Sequence, residues 1–372
     1  MTALSGVDAT GRDINGSHLG VRIWLAMVAF LVFAMIVVGG ATRLTDSGLS
    51  ITEWQPLLGA IPPLTDEHWR IAFEKYRQIP EYQLINKGMS LEAFKEIYWW
   101  EWSHRFLGRF IGLAFALPFM VFWASGRLPR GTPIKFAAVL ALGGLQGLIG
   151  WYMVKSGLVD RVDVSHYRLA LHLGTAFLIL GLIVWLALDL APRRQETRLG
   201  TIGRWPVRMA VAIVALVFLQ VLLGALVAGL KAGLTYNTWP LMDGNFIPNG
   251  LATLEPWYQN LFENITTVQF NHRMVAYLVV ALAVLHAFML IGVDDDRVVR
   301  SGGLLAAAMA AQMGLGIWTL LSAEGAIPIG LGLAHQGGAA VVLVLAVAHL
   351  HRIRNSPARL HDRVQAVASQ LA

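Results

Sequence analysis

The chain has 372 residues, of which 56% are hydrophobic and 14% charged, with a mean hydropathy of +0.57. That is too apolar for a water-soluble domain of this length, and it makes lipid the solvent for most of the chain. No cysteine is present, which excludes disulfides, thiolate metal centres, iron–sulfur clusters and covalent c-type haem attachment. The net charge of +6 does not point to nucleic acid: the basic residues sit in short connections between apolar runs, where topology and anionic membrane lipid account for them.

Runs of about 20 apolar residues, the length that crosses a bilayer, fall at 24–42, 106–124, 136–154, 169–188, 209–230, 274–293, 303–321 and 331–350. They predict an all-α integral membrane protein with eight transmembrane helices. A polar segment, 1–23, precedes the first run. That run ends in Gly39-Gly40-Ala41-Thr42-Arg43 without a small-x-small cleavage signature, so it reads as a retained helix and not as a removed signal peptide.

The connection between the second and third runs carries Arg127, Arg130 and Lys135. Arg193, Arg194, Arg198, Arg204 and Arg208 lie between the fourth and fifth, and Arg352, Arg354, Arg359 and Arg363 follow the eighth. The excess of positive charge places these segments, and with them both termini, on the cytoplasmic side of the cell inner membrane. The first outer connection is long, from about residue 43 to 97, and with its flank carries Trp54, Trp69, Tyr76, Tyr82, Trp99 and Trp100. Most of these aromatics read as an interfacial belt; the alternative is that part of the loop forms a lid over a substrate.

The sequence repeats itself. Glu101-Trp-Ser-His104-Arg105 matches Gln269-Phe-Asn-His272-Arg273 at an offset of 168 residues; Gln146-Gly-Leu-Ile-Gly150 matches Gln312-Met-Gly-Leu-Gly316 at 166; His172 matches His335 at 163. Gly48-Leu49 and Trp54 match Gly233-Leu234 and Trp239 at 185. Each half holds four spans, an even number, so the halves insert with the same orientation and are related by a pseudo-twofold axis along the membrane normal. The expected form is two tandem four-helix bundles, 24–190 and 209–352, joined by a basic cytoplasmic linker at 191–208 and followed by a polar tail at 353–372.

His104, His172, His272 and His335 are the four of eleven histidines that the repeat duplicates, and all lie toward the outer ends of their spans. A lone histidine in a membrane helix is most simply a hydrogen-bonding residue. A duplicated pair asks for more, because ionisable side chains in lipid are costly, and facing helices of a bundle can present imidazoles to both sides of a flat cofactor. Paired imidazoles suit haem iron. Zinc or copper would need further ligands, and no carboxylate, cysteine or methionine is duplicated nearby. His286, His349 and His351 lie toward inner ends without a counterpart in the other half, and His18, His68 and His361 fall in polar segments; all six read as structural. His166 is a weaker candidate for propionate contact or proton exchange.

Arg105 and Arg273 directly follow duplicated histidines, where a guanidinium could hold haem propionates or simply snorkel to headgroups; Arg43 and Arg168 are weaker candidates from the first half. The repeat breaks at Glu101, whose counterpart is Gln269. A carboxylate beside a haem edge can stabilise developing positive charge or accept a proton, and an amide cannot. The competing reading is a carboxylate at a helix start, favoured by the dipole.

Gly39-Gly40-Ala41-Thr42-Arg43-Leu44-Thr45-x-Ser47-Gly48-Leu49-Ser50, Glu101-x-x-His104-Arg105, Asn271-His272-Arg273, Gly233-Leu-x-Tyr-Asn-Thr-Trp-Pro240 and His335-Gln336 together resemble the haem A synthase family over residues 20–352. The resemblance implies oxidation of the C8 methyl of haem O to a formyl group through an alcohol, with oxygen from water, giving haem A for aa3-type haem-copper oxidases. It implies that His104 and His172 flank the substrate haem, that Glu101 is the catalytic carboxylate, and that His272 and His335 ligate a resident haem b. Haem O synthase is the implied donor; the electron acceptor and any homo-oligomer are left open. Part of the family has a cysteine pair in the first outer loop, which this chain lacks. A dihaem b electron-transfer cytochrome explains the four histidines equally well but gives the Glu101 break no role. A transporter would need helices interrupted at the midplane, which the spans do not show.

Overall fold

The computed structural model describes residues 18–55, 58–159, 161–192 and 202–356. Arg193, Arg194, Arg198, Arg359, Arg363 and His361 lie outside the described residues, as do residues 1–17 of the polar N-terminal segment.

Ten α-helices are described: α1 (Leu19–Leu44), α2 (Asp66–Tyr76), α3 (Pro80–Leu84), α4 (Leu91–Ala124), α5 (Thr132–Lys155), α6 (His166–Asp189), α7 (Arg204–Gly229), α8 (Ile265–Met289), α9 (Asp296–Leu321) and α10 (Ile329–Asn355). Eight of them, all but α2 and α3, are long and apolar enough to cross a membrane. Helix is what the lipid allows here, since it satisfies every backbone N–H and C=O within the segment. The expected eight-span, all-helical membrane fold is therefore found. Several helices start ahead of their apolar runs: α1 at Leu19, inside the segment read as polar, α4 at Leu91, α8 at Ile265 and α9 at Asp296.

Helix α4 starts early because Ser90 caps it, its side chain accepting from Ala93 N at 3.2 Å. Its first four turns are amphipathic and stand outside the apolar run. Glu101 and His104 thus lie well inside the helix, which removes the helix-start explanation of Glu101. The same device starts α8 and α9, where Asn264 accepts from Thr267 N at 3.1 Å and Asp295 from Arg297 N at 3.0 Å.

Within each half the four spans form a ring. In the first half α1 packs on α4, α4 on α5, α5 on α6 and α6 on α1; in the second the order is α7, α8, α9, α10 and back to α7. The halves meet where α1 crosses α10 and where α6 crosses α7, with α6 also against α10. Under the repeat, α1 corresponds to α7 and α6 to α10. The first two crossings are therefore images of each other, and the α6–α10 contact sits on the pseudo-axis.

Small residues bring the halves close, as expected where helices pack in lipid. Gly332 of α10 faces Leu44 of α1, and at the image crossing Gly229 of α7 faces Leu169 of α6. Leu44 and Gly229 are equivalent positions, as are Leu169 and Gly332. Each crossing pairs one large residue with one glycine, on opposite partners. The shared core contains Trp24, Phe115, Phe136, Phe177, Ile183, Val217, Leu343 and Val347.

The long loop between α1 and α4 folds into a small cap. Leu49, Trp69, Tyr76, Ile79, Tyr82, Phe94 and Tyr98 form a cluster of their own, so Trp69, Tyr76 and Tyr82 are packed inside the cap and do not belong to an interfacial belt. Trp54, Trp99 and Trp100 remain exposed. The physical reason is that α2 folds back on the first turns of α4 and Tyr82 of α3 packs on α2, a long-range pairing that the spacing of aromatics does not reveal.

Candidate functional site

Each duplicated histidine rests on a glycine of the preceding membrane span. A Cβ at Gly39 would stand 3.3 Å from His104 Nε2, one at Gly150 2.9 Å from His172 Cε1, one at Gly224 3.1 Å from His272 Cε1 and one at Gly316 2.7 Å from His335 Cε1. All four contacts are tighter than ordinary van der Waals distance. Only glycine lets the imidazoles lie this close to the neighbouring helix, so the four rings are seated in four equivalent cradles.

His104 and His172 stand on α4 and α6, diagonally opposite in the first bundle, and their rings face across it at a centroid separation of 6.4 Å and an interplanar angle of 74°. Two metal–imidazole bonds of about 2 Å, with the ring radii beyond them, need a separation of about 6 Å. His272 and His335 stand on the equivalent helices α8 and α10, near enough to interact electrostatically. Among the described residues no group of three or more His, Cys, Asp or Glu converges. The donor set is a pair of imidazoles per half, which fits haem iron and does not fit zinc.

Glutamines brace three of these histidines. Gln146 Nε2 donates to His172 O at 2.9 Å, Gln220 Nε2 to His272 O at 2.9 Å and Gln312 Nε2 to His335 O at 2.7 Å. The same amide nitrogens lie 3.1 Å from His272 Nδ1 and 3.0 Å from His335 Nδ1. Gln146 Oε1 and Gln220 Oε1 are buried with no partner, as is His172 Nδ1. An imidazole that binds iron through Nε2 carries its proton on Nδ1 and needs an acceptor there; His172 Nδ1 is free for that role, whereas the nitrogens beside His272 and His335 Nδ1 also hold the histidine carbonyls. Gln220 was not singled out by sequence, although Gln-x-x-x-Gly in α7 repeats the pattern of α5 and α9.

Glu101 is buried and carries four bonds. Its Oε2 accepts from Ser50 Oγ at 2.8 Å and Ile51 N at 2.7 Å; its Oε1 accepts from Arg105 Nε at 2.9 Å and Nη2 at 2.5 Å. Arg105 also donates to Ile51 O at 2.7 Å and Glu53 O at 3.0 Å. In the other half Gln269 Nε2 donates to Tyr236 O at 3.0 Å, and Arg273 donates to Tyr236 O and Thr238 O, both at 2.8 Å. The two pairs do the same structural work, clamping the outer loop that follows α1 or α7. They differ in sign: Glu101 receives the loop's N–H and hydroxyl, whereas Gln269 and Arg273 reach only its carbonyls. Both arginines thus have loop partners, and Arg273 Nε remains buried without one.

A cavity of about 480 Å³ opens between the cap and α4, lined among others by Ile51, His68, Lys75, Tyr98, Arg105 and Arg109. It reaches the Glu101–Arg105 pair through Arg105. Of the weaker candidates, Arg43 donates to Ala228 O and so ties α1 to α7. Arg168 donates to Tyr152 O at 2.6 Å and stacks on its ring. His166 is buried with Nε2 3.5 Å from Glu263 Oε2. His286 and His349, read as structural, bond each other through their Nε2 atoms at 2.8 Å, and Ser301 Oγ lies 2.8 Å from His349 Nδ1.

The cytochrome oxidase assembly protein family (COX15-CtaA) matches residues 22–347. The chain is 54% identical over 339 residues to a heme A synthase of Parvibaculum lavamentivorans, covering 91% of this chain and 96% of that one. It is 50% identical over 350 residues to a heme A synthase of Chelativorans sp., covering 94% of each. With a heme A synthase of Mesorhizobium japonicum it shares 51% identity over 342 residues, 92% of each chain.

Proposed function

The chain belongs to the cytochrome oxidase assembly family that includes the heme A synthases, and we propose that it divides their reaction, haem O to haem A, between two unlike haem sites. It is a multi-pass membrane oxidoreductase. In this reading the N-terminal bundle takes haem O between His104 and His172. The C-terminal bundle keeps a haem b between His272 and His335. Both sites lie toward the outer face of the inner membrane, with the termini in the cytoplasm.

Bound haem supplies the iron and the methyl group that is oxidised to the formyl through an alcohol, with oxygen from water. Everything else falls to the chain's own side chains. His104 and His172 hold the substrate ring across the bundle, seated on Gly39 and Gly150. Glu101, three residues before His104 on the same helical face, keeps a carboxylate beside that ring, where it stabilises positive charge and accepts a proton as the methyl loses hydrogen. Arg105, Ser50 and Ile51 hold Glu101 in place, so it is oriented before substrate arrives. The cap excludes bulk water from the outer side, and the cavity beside Arg105 is the route by which single waters reach it. A haem b held by His272 and His335 would supply the path by which electrons leave for an acceptor outside this chain.

The observation that carries this reading is the paired clamp. The same loop is held in both halves, yet only the N-terminal half does it with a carboxylate, so loop holding alone does not require Glu101. Producing the chain in cells that make haem O but no haem A, then extracting the pigments, tests it. Haem A is expected in the extract; haem O with no alcohol or formyl product would sink the reading.

A further inference from the structure

The glutamine brace is missing from one histidine in four. Gln146 and Gly150, Gln220 and Gly224, and Gln312 and Gly316 are each four residues apart, so on α5, α7 and α9 one helical face presents both the cradle and the amide. On α1 the cradle is Gly39, and four residues before it stands Met35. Its position is the counterpart of Gln220, at the offset of 185 that also relates Gly39 to Gly224. The Met35 methyl lies 3.4 Å from the Cβ position of Gly108, one turn beyond His104. The side chain therefore packs on α4 and carries no N–H donor.

We propose that Met35 is a positioning residue that leaves His104 unbraced, so that the N-terminal site can let go of its haem while the C-terminal site cannot. The inference rests on the reading that each half binds one haem. A hydrogen bond from outside the ligand sphere fixes an imidazole's rotation, and removing such a partner typically weakens the bond to metal about 10–100-fold. The amide nitrogens of Gln220 and Gln312 reach the rings of His272 and His335 as well as their carbonyls, so a resident haem has two ligands with braced rings. The other haem has neither: Gln146 reaches only the carbonyl of His172, whose Nδ1 has no partner, and Met35 leaves His104 free to turn. That is the difference a turnover site needs from a permanent one: substrate must enter and product must leave once per cycle, whereas a resident cofactor should not exchange. A thioether at position 35 keeps the packing against α4 and removes only the polar contact.

The test is haem transfer from the purified, detergent-solubilised protein, loaded with two haems, to an excess of apomyoglobin. The parent should release one haem fast and one slowly. Met35→Gln should slow the fast phase about 10-fold or more, with Met35→Leu retaining the parent rate as a control for packing. Gln220→Met should accelerate the slow phase by a similar factor. Two bound haems with a fast phase unchanged in Met35→Gln would overturn the inference and leave the two-site reading standing. A protein that binds only one haem would overturn both.

Discussion

Gly316 lies directly beneath the imidazole of His335, where a Cβ would stand 2.7 Å from the ring. Neither α9 backbone nor α10 backbone can yield without disturbing the bundle, so Gly316→Ala forces the ring out of its seat. Overpacking of this kind costs about 1–3 kcal/mol, and low-spin haem retained per protein should fall about 10-fold at limiting haem. Gly314→Ala, on the same helix with open space around its Cβ, should bind haem like the parent. Equal haem content in the two variants would show that the cradle does not seat a ligand.

His349→Leu separates structure from function at the inner end of the second half. It strips His286 of its one partner while Nδ1 of that ring already has none. Leaving a buried polar group unmade costs about 1–3 kcal/mol, so the thermal midpoint should drop while haem per folded protein stays constant. Loss of haem at an unchanged midpoint would assign this pair to the site.

The cap should loosen with rising pH. Burial pushes the Glu81 carboxyl up to about 8, against which the bond from Tyr76 Oη works only weakly. A carboxyl raised in the folded state is protonated there more readily than in the unfolded state. Its contribution is therefore complete below the ordinary carboxylate range and lost as pH rises through about 8. Hydrogen exchange of residues 66–98 should accelerate from pH 6 to pH 9 beyond the intrinsic base dependence, and Glu81→Gln should abolish the excess. An unchanged excess in that variant would exclude Glu81 as its source.

The absence of cysteine makes orientation directly readable. A single cysteine at Asp243 should react with a membrane-impermeant maleimide on intact spheroplasts, and one at Arg127 only after permeabilisation. The reverse pattern would invert the topology and place the histidines toward the cytoplasm.

The spans, the repeat and the four histidines were legible in the sequence because hydropathy and duplication are local signals that need no coordinates. The start of α4 was not, since Leu91–Arg105 carries charges and belongs to a helix that continues outside the lipid. Nor was the cap, because Trp69, Tyr76 and Tyr82 find their partners across the loop and on α4 and not among neighbours in sequence. The glycines at 150 and 316 were visible as repeat positions without a purpose; only the approach of His172 and His335 supplies it. Gln220 and Met35 escaped because the eye follows matches, and this pair is a mismatch in a helix otherwise aligned by its glycines. The loop contacts of Arg105 and Arg273 could not be read from their position beside histidine.

The most direct test of the account is the pigment content of Glu101→Gln. An amide has the carboxylate's shape and its oxygen can still accept from Ser50 Oγ and Ile51 N, so the variant should assemble and bind two haems. Acid-acetone extraction followed by chromatography should then yield haem b together with haem O or its alcohol, and haem A reduced about 100-fold or more, the scale of a lost acid–base group. Haem A at the parent's level would contradict the assignment of the chemistry to Glu101.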